Sequence, residues 1–143
     1  MRRELAGGYE LDDDPARIDA AAVHGFLSNH AYWAKGRARE TVDGLIARAD
    51  RVVGLYHDGR QIGFSRTVSD GLAIACLADV YVLPEHRGRG LGIELVRFSV
   101  EDGPFANARW ILNTDDAHGL YRRFGFREPD QSLLVRGRRM ERG

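Results

Sequence analysis

The sequence has one cysteine, no net charge and no long apolar run, and each of these features excludes a class of protein. Cys76 is the only cysteine, which excludes an internal disulfide and a cysteine-based metal cluster, so no metal is expected. The formal charge is zero, from 21 basic and 21 acidic residues, and no overall field favours nucleic acid or an anionic membrane as partner. The apolar stretches are far shorter than a membrane span, and no signal-peptide core follows the first residues. We therefore expect a cytoplasmic protein with a small or local partner.

The chain has the size of one small enzyme domain. Its 143 residues, 43% of them hydrophobic, suffice for a real core but leave no room for a second domain, so we predict a single domain over residues 1–143. The basic run at 136–142 is interpreted as a solvated tail rather than a nucleic-acid contact, because the overall charge is balanced.

Alternating apolar patterns predict a mixed α/β fold with the element order β-α-α-β-β-β-α-β-α-β. Asp14 and Pro15 are typical of a helix start, and Asp58-Gly59 is typical of a tight hairpin. Predicted strands cover residues 7–11, 51–56, 61–67, 72–83, 110–112 and 133–135, and predicted helices cover 16–27, 41–49, the run from the glycine loop to about 100, and 117–124.

A glycine-rich segment at 87–92 (RGRGLG) lies between an apolar run at 79–84 and a helical pattern that begins at Ile93. The order strand, glycine turn, helix predicts an anion site, because glycines allow unusual backbone conformations and the N–H groups of the first helical turn converge with the positive end of the helix dipole. Arg87 and Arg89 add positive charge. The predicted occupant is a pyrophosphate.

Two familiar phosphate-binding loops do not match this segment. A nucleotide P-loop requires Lys and then Ser or Thr after its last glycine, whereas Gly92 is followed by Ile93 and Glu94. The dinucleotide-binding fingerprint spaces its glycines as G-x-G-x-x-G near the start of a βαβ unit, which differs from R-x-x-G-x-G deep in the chain.

Residues 80–92 (VYVLPEHRGRGLG) resemble the acetyl-CoA motif of the GNAT superfamily of N-acetyltransferases, whose loop is written Q/R-x-x-G-x-G/A. Residues 117–126 (AHGLYRRFGF) are similar to a second block of that superfamily, A-x-x-L/F-Y-x-x-x-G-F, at the usual distance from the first. The resemblance implies a GNAT-type mixed central sheet with a V-shaped cofactor cleft, and acetyl-CoA as cosubstrate.

The resemblance also implies cofactor contacts for particular residues. The backbone of Val80, Tyr81 and Val82 would pair with the pantetheine amides, beside a β-bulge, and the Val82 N–H would polarise the thioester carbonyl. Thr114 stands where many relatives have an asparagine that contacts the cofactor arm, which puts that contact in doubt. The pyrophosphate would be held by the amides of Gly88, Arg89, Gly90, Leu91, Gly92 and Ile93, and the side chain of Arg87 or Arg89 would support it or the adenosine phosphate.

Tyr121 matches the family position that protonates the thiolate leaving group, so it is predicted as general acid; simple core packing is the alternative. The general base is left open between two residues. Asp79 lies among apolar neighbours, and we expect a raised pKa there, although an ion-paired aspartate is equally compatible. His118 precedes Tyr121 by three residues on the same predicted helix, with an exposed histidine as the alternative.

The acceptor pocket is predicted at the segment between the first two helices. Tyr32 and Trp33 could form an apolar or cation-binding wall there, or could pack on the core. Arg37 and Arg39 could meet a substrate carboxylate, or could simply be exposed arginines.

The leading hypothesis is an N-acetyltransferase that moves an acetyl group from acetyl-CoA to a primary amine of a small molecule by direct attack in a ternary complex. A peptide N-terminus or lysine is the main alternative acceptor, and a non-catalytic acyl-CoA-binding module is the alternative from another class. A homodimer is an expectation from the resemblance alone.

Overall fold

The computed structural model describes residues 1–137, which form a six-stranded sheet flanked by helices. The strands lie side by side in sequence order, and every neighbouring pair is antiparallel except the last, which is parallel. The mixed α/β class predicted from the sequence is confirmed. The strands are β1 (Arg2–Leu5), β2 (Tyr9–Asp12), β3 (Arg51–His57), β4 (Arg60–Ser69), β5 (Ile74–Val82) and β6 (Arg109–Ile111). The helices are α1 (Ala20–His30), α2 (Arg39–Arg48), α3 (Leu91–Val100) and α4 (His118–Arg122).

Helices cover both faces of this sheet. Val52 and Val53 are consecutive on β3 and point into different apolar clusters, as the alternation of side chains along a strand requires. Val53 packs in the cluster that contains α3, whereas Val52 packs in the cluster that contains α1 and α2. A third cluster joins β5, α3 and α4. Within residues 1–137, no helix is both long and apolar enough to cross a membrane.

The N-terminal elements differ from the predicted order in two ways. Strand β1 was not predicted, and it pairs with β2 through a turn in which Gly7 and Gly8 have positive φ. Asp14 does accept a hydrogen bond from the N–H of Ala16, but it caps only a 3-10 turn at Pro15–Arg17. The backbone then becomes extended, and Asp19 caps α1 by accepting from the Ala22 N–H at 3.0 Å. Because two aspartate caps follow each other, the predicted start of the first helix at residue 16 is wrong, and α1 begins at Ala20.

The predicted last strand at 133–135 is wrong, because those residues form no strand. Leu134 and Val135 are 92% and 82% exposed. An apolar triplet needs a neighbouring strand to satisfy its backbone, and no pairing of this segment is found within the described residues. Of the basic run at 136–142, residues 138–142 lie outside the described residues.

Strand β6 ends at Ile111, which leaves an opening beside the C-terminal half of β5. They pair only from Ile74 with Arg109 to Cys76 with Ile111. Strand β5 then continues to Val82, still paired with β4 but no longer with β6. One edge of β5 is therefore left without a strand partner over its C-terminal half.

Gly63 allows β4 to approach its neighbours closely, so a side chain at this position should destabilise the fold. A Cβ atom there would lie 2.9 Å from the Tyr81 carbonyl oxygen and 3.1 Å from the Cβ of Leu55. We expect Gly63→Ala to lower the free energy of unfolding by about 1–3 kcal/mol in urea titrations. Gly44→Ala, on α2 in open space, is the control and should raise stability by roughly 0.5–1 kcal/mol. Equal stability of Gly63→Ala and the native protein would contradict this close packing.

Candidate active site

Strand β5 contains a β-bulge at Asp79. Between the pairs Phe64–Tyr81 and Arg66–Ala78, the single residue Ser65 of β4 faces two residues of β5, Asp79 and Val80. Asp79 has a φ of 54°, a left-handed conformation that aspartate tolerates better than most residues. The bulge that the resemblance implies is therefore present, next to the part of β5 that lacks a strand partner on one edge.

The alternation of backbone groups decides which residues of β5 face the opening. The Leu83 N–H donates to the Ile62 carbonyl of β4 at 2.8 Å, so the N–H and C=O of Val82 point away from β4 and into the opening. Val80, two residues earlier, faces the same way. Tyr81, predicted with these neighbours to contact the cofactor, instead directs its backbone to β4, and its ring stacks on Phe26 at 4.1 Å.

The glycine loop leads directly into α3 and presents free amides. Gly88 and Gly90 have φ of 82° and 75°, and Gly90 is the N-cap of α3. Gly92 lies in the first turn, where its α-carbon faces Leu120 of α4. No side chain caps this helix, and the six N–H groups from Gly88 to Ile93 donate to no acceptor among the described residues. The segment therefore has the geometry of a helix-terminus anion site.

The two loop arginines are exposed and differ in their contacts. Arg87 donates from Nε to the Val82 carbonyl at 2.9 Å, which ties the loop to the end of β5 and occupies one of the outward-facing groups. Arg89 is exposed in the loop itself. The Val82 N–H stays directed into the opening while its carbonyl is held by Arg87.

Tyr121 projects from α4 into the cluster that joins α4, α3 and β5. Its ring is buried against Leu77, Val96 and Val100, and Phe126 contacts it edge-on at 5.8 Å between centroids. Burial raises the pKa of Tyr121 to about 12, and Asp116 and Tyr32 add smaller effects in the same direction. The phenol is therefore protonated at neutral pH, as a proton donor must be.

Thr114, His118 and Tyr121 line one cavity of about 960 Å³, between β6, α4 and the segment that follows α4. No residue of β5 or of the glycine loop lines this cavity, although Tyr121 also packs against Leu77 of β5. The Thr114 hydroxyl accepts from the Ala117 N–H at 3.2 Å, so it holds the start of α4. His118 is exposed at the first position of that helix.

Asp79 is a buried, fully bonded carboxylate, and the expectation of a raised pKa is wrong. It accepts from Trp33 Nε1 at 2.9 Å, from Arg66 Nε at 2.9 Å, and from Arg37 Nη1 at 3.0 and 3.1 Å. Burial alone would raise its pKa, but the charges of Arg66 and Arg37 and the hydrogen bonds outweigh burial and hold the pKa below the usual range. Such a carboxylate is a poor proton acceptor at neutral pH.

The segment between α1 and α2 is fastened to the site at two points. Trp33 and Arg37 bind Asp79, and the Tyr32 hydroxyl accepts from the Asp115 N–H at 3.0 Å, beyond β6. Tyr32 and Trp33 meet edge to face and are still 51% and 40% exposed. The predicted acceptor segment therefore lies beside the opening between β5 and β6, with its aromatic surface accessible.

Arg66 is a site residue that the sequence analysis missed. It lies within a strand-like run, and an isolated charge in such a run is itself a signal, because a buried charge requires a partner. Asp79, the only acidic residue in the neighbouring strand, supplies the opposite charge.

Removing the Asp79 charge should destabilise the protein and change its acid sensitivity. Because the pKa of Asp79 is lower in the folded protein than in the unfolded chain, its ion pairs stabilise fully above about pH 4 and are lost on further acidification. We expect Asp79→Asn to cost about 3–5 kcal/mol at pH 7, since it leaves two arginines unpaired, and less at pH 3. Urea unfolding at both pH values measures the difference.

The control for this substitution is Asp43→Asn, which breaks an exposed pair with Arg39 and should change stability by about 0.5 kcal/mol or less. A cost for Asp79→Asn that is equally small at pH 7 would show that the buried network contributes no more than a surface pair.

Comparisons with known proteins agree with this geometry. Residues 48–128 match the family model of the acetyltransferase (GNAT) domain. A GNAT-family protein from Xanthomonas campestris pv. campestris has a TM-score of 0.85 and 38% identity, over 90% of this chain and 92% of that one. A GNAT-family acetyltransferase from Brucella melitensis, solved in complex with acetyl-CoA, has a TM-score of 0.64 and 25% identity, over 84% of this chain and 83% of that one.

A protein of Gibberella zeae that is assigned as an acetyltransferase is 25% identical over 85% of this chain and 81% of its own length. The family model covers more than half of the sequence and ends just beyond α4, so it includes both the glycine loop and Tyr121. This protein therefore belongs to the GNAT family of acetyltransferases, and it is an acyltransferase.

Proposed function

We propose that this protein transfers the acetyl group of acetyl-CoA to a primary amine of a small molecule, by direct attack in a ternary complex. The observation that carries the proposal is the run of six N–H groups from Gly88 to Ile93, which donate to no acceptor within residues 1–137 and lie next to the part of β5 that β6 does not pair. The acetyl-CoA complex of the Brucella melitensis relative supports the choice of cosubstrate.

The chain supplies a distinct group for each part of this cosubstrate. The loop amides and the α3 N-terminus suit the pyrophosphate, with positive charge added by Arg89 and by Arg87, whose Nε is held by the Val82 carbonyl. The outward-facing backbone of Val80 and Val82 suits the pantetheine amides and the thioester carbonyl, as an added strand would. An N–H fixed in a strand stabilises the carbonyl oxygen as it gains charge, without having to reorient.

Acetyl transfer forms a bond from the amine nitrogen to the acetyl carbon and breaks the bond from that carbon to sulfur. The departing sulfur needs a proton, and Tyr121 is our candidate donor, because its phenol is protonated and lies on the helix opposite β5. The ammonium proton must leave before attack. With Asp79 held as an ion pair, His118 or solvent is the proposed acceptor of that proton.

Direct attack is favoured over an acyl-enzyme. Burial raises the pKa of the Cys76 thiol, so little reactive thiolate exists at neutral pH. Its side chain is half-buried in β5 and behaves as a small apolar group.

A small amine is favoured over a peptide as acceptor. The bond from Asp115 N–H to the Tyr32 hydroxyl bridges the two loops beside the opening, and we take this bridge as support for a compact acceptor. An acceptor panel scored by thiol release separates the alternatives, because a preference for peptides would assign the activity to an N-terminus or lysine. Binding of acetyl-CoA without any turnover would indicate a binding module. A cytoplasmic location, a homodimer and the lack of nucleic-acid or membrane partners stay predictions.

Loop geometry should control acetyl-CoA affinity. Alanine at Gly90, with a φ of 75°, strains the backbone and displaces the N–H groups that follow. We expect the native protein to bind acetyl-CoA in calorimetry and Gly90→Ala to bind at least about tenfold more weakly, a change of roughly 1.4 kcal/mol. Gly71→Ala is the matched control, with a φ of 82° in an exposed turn between β4 and β5. If the native protein did not bind acetyl-CoA, acetyl-CoA would be rejected as the cosubstrate. If both variants lost affinity equally, the glycine loop would be rejected as part of the acetyl-CoA site.

The phenol of Tyr121 should matter for turnover and not for acetyl-CoA binding. We expect Tyr121→Phe to lower kcat by about 100-fold, as for the loss of a general acid, with little change in calorimetric acetyl-CoA affinity. The control is Tyr56→Phe, which removes another buried hydroxyl, one that has no hydrogen-bond partner within residues 1–137, and it should leave kcat unchanged. If Tyr121→Phe kept the native kcat, Tyr121 would not be the general acid and its role would be limited to packing.

A further inference from the structure

Two arginines share a single carboxylate beside the acceptor segment. Arg37, from the segment between α1 and α2, and Arg66, from β4, both bind Asp79. The Asp79 side chain is only 3% exposed, whereas Arg37 and Arg66 are 14% and 13% exposed. Two guanidinium charges against one carboxylate leave this group, which we call the Asp79 cluster, with a net charge of +1.

The cluster uses only part of its hydrogen-bonding capacity. Arg37 reaches Asp79 through Nη1 alone, and Arg66 through Nε alone. The remaining N–H groups of both side chains donate to no acceptor among residues 1–137. A guanidinium fork recognises carboxylates through pairs of such groups, and a second anion would also relieve the repulsion between the two arginines.

The position of the cluster matches the reacting centre. Asp79 directly precedes Val80 and lies three residues before Val82, and these are the two residues whose backbone faces the opening. At about 3.3 Å per residue, the cluster is roughly 3–10 Å along β5 from those positions. That spacing suits a compact molecule that carries an amine and an anion a few bonds apart.

The net positive charge also selects between acceptors. It repels an ammonium compound that has no anion, such as a simple amine or a polyamine, and it attracts an acceptor with a carboxylate.

We propose that the acceptor is a small amino-carboxylate whose carboxylate binds the free N–H groups of Arg37 and Arg66 while its amine faces the thioester position. The inference rests on the proposed acetyl transfer and narrows its substrate class. The competing explanation is that water fills these N–H groups and the Asp79 cluster only anchors the acceptor segment to β5.

The test uses matched sets of acceptors with the full-length protein. Each set contains an α-amino acid, its primary amide and the amine without the carboxyl group, and thiol release gives kcat/KM for each. A charge-assisted contact predicts a preference of about 10-fold to 100-fold for the amino acid, expressed mainly in KM. Calorimetric binding of the preferred amino acid and its amide to the CoA-bound protein provides a second readout that needs no turnover.

The variant that separates the two explanations is Arg37→Gln, with Arg48→Gln at the exposed end of α2 as control. We expect Arg37→Gln to abolish the preference, because it raises KM for the amino acid far more than KM for the decarboxylated amine. Arg37→Lys should restore part of the preference. A purely structural role predicts equal losses for every member of a set.

Equal kcat/KM within the sets, a preference for the decarboxylated amines, or no transfer to and no binding of any carboxylate-bearing member would overturn the inference. An unchanged preference in Arg37→Gln would overturn it as well. Transfer to other amines under those outcomes would leave the proposed function intact, whereas failure to bind acetyl-CoA would remove that function itself.

Discussion

The ion pairs and hydrogen bonds that converge on Asp79 tie the neighbouring strands β4 and β5 to the segment between α1 and α2. The carboxylate belongs to the bulge of β5, Arg66 belongs to β4, and Arg37 and Trp33 belong to the segment between α1 and α2. A carboxylate removed from water costs several kcal/mol unless it is paired, so its burial requires all of these partners to be in place. The left-handed backbone at Asp79 is held by the same contacts. Strand geometry and the position of the acceptor segment are therefore fixed by one group.

The bulge and the parallel strand pair together explain why the opening lies where it does. Strand β6 enters parallel to β5 and pairs over three residues only, so β5 continues without a second neighbour. The extra residue at the bulge then sets which backbone groups of the last three residues point outward, since an insertion of one residue reverses the alternation. The short turn after Val82 returns the chain to the N-terminus of α3. The edge of β5 that suits the pantetheine amides is thus followed along the chain by the α3 N-terminus that suits the phosphates.

Local signals in the sequence predicted the features that depend on neighbouring residues. Asp58 and Gly59 both have positive φ in the hairpin between β3 and β4, as the dipeptide indicates. The start of α3 at the glycine loop and its end at Val100 also agree with the pattern. The errors in the predicted strands have a different origin. Strand β1 is polar and owes its existence to pairing with β2, and residues 133–135 are apolar but unpaired among the described residues.

The features of the candidate site can also be separated into those that depend on neighbouring residues and those that depend on distant ones. The loop amides were predictable, because glycine spacing and the helix that follows determine them locally. The protonation state of Asp79 was not predictable, because burial raises its pKa whereas partners from distant positions in the sequence lower it. Apolar neighbours in sequence suggested that burial would dominate and raise the pKa. In the structure, Arg66 and Arg37 lie within 3.1 Å of the carboxylate and reverse the sign.

That reversal changes how the amine can lose its proton. A carboxylate that is paired with two arginines accepts no proton near neutral pH, so it offers no direct route for general-base catalysis. The same pairing leaves an excess positive charge beside the acceptor segment, and a positive charge disfavours ammonium relative to amine whatever group finally takes the proton. For an amine without a carboxylate, at an effective dielectric constant near 20, a unit charge about 6 Å away contributes roughly 2–3 kcal/mol, which corresponds to about two units in the pKa of the amine. An acceptor whose carboxylate binds the two arginines neutralises that charge, so for such an acceptor the Asp79 cluster assists deprotonation only by drawing the carboxylate away from its role in stabilising the ammonium.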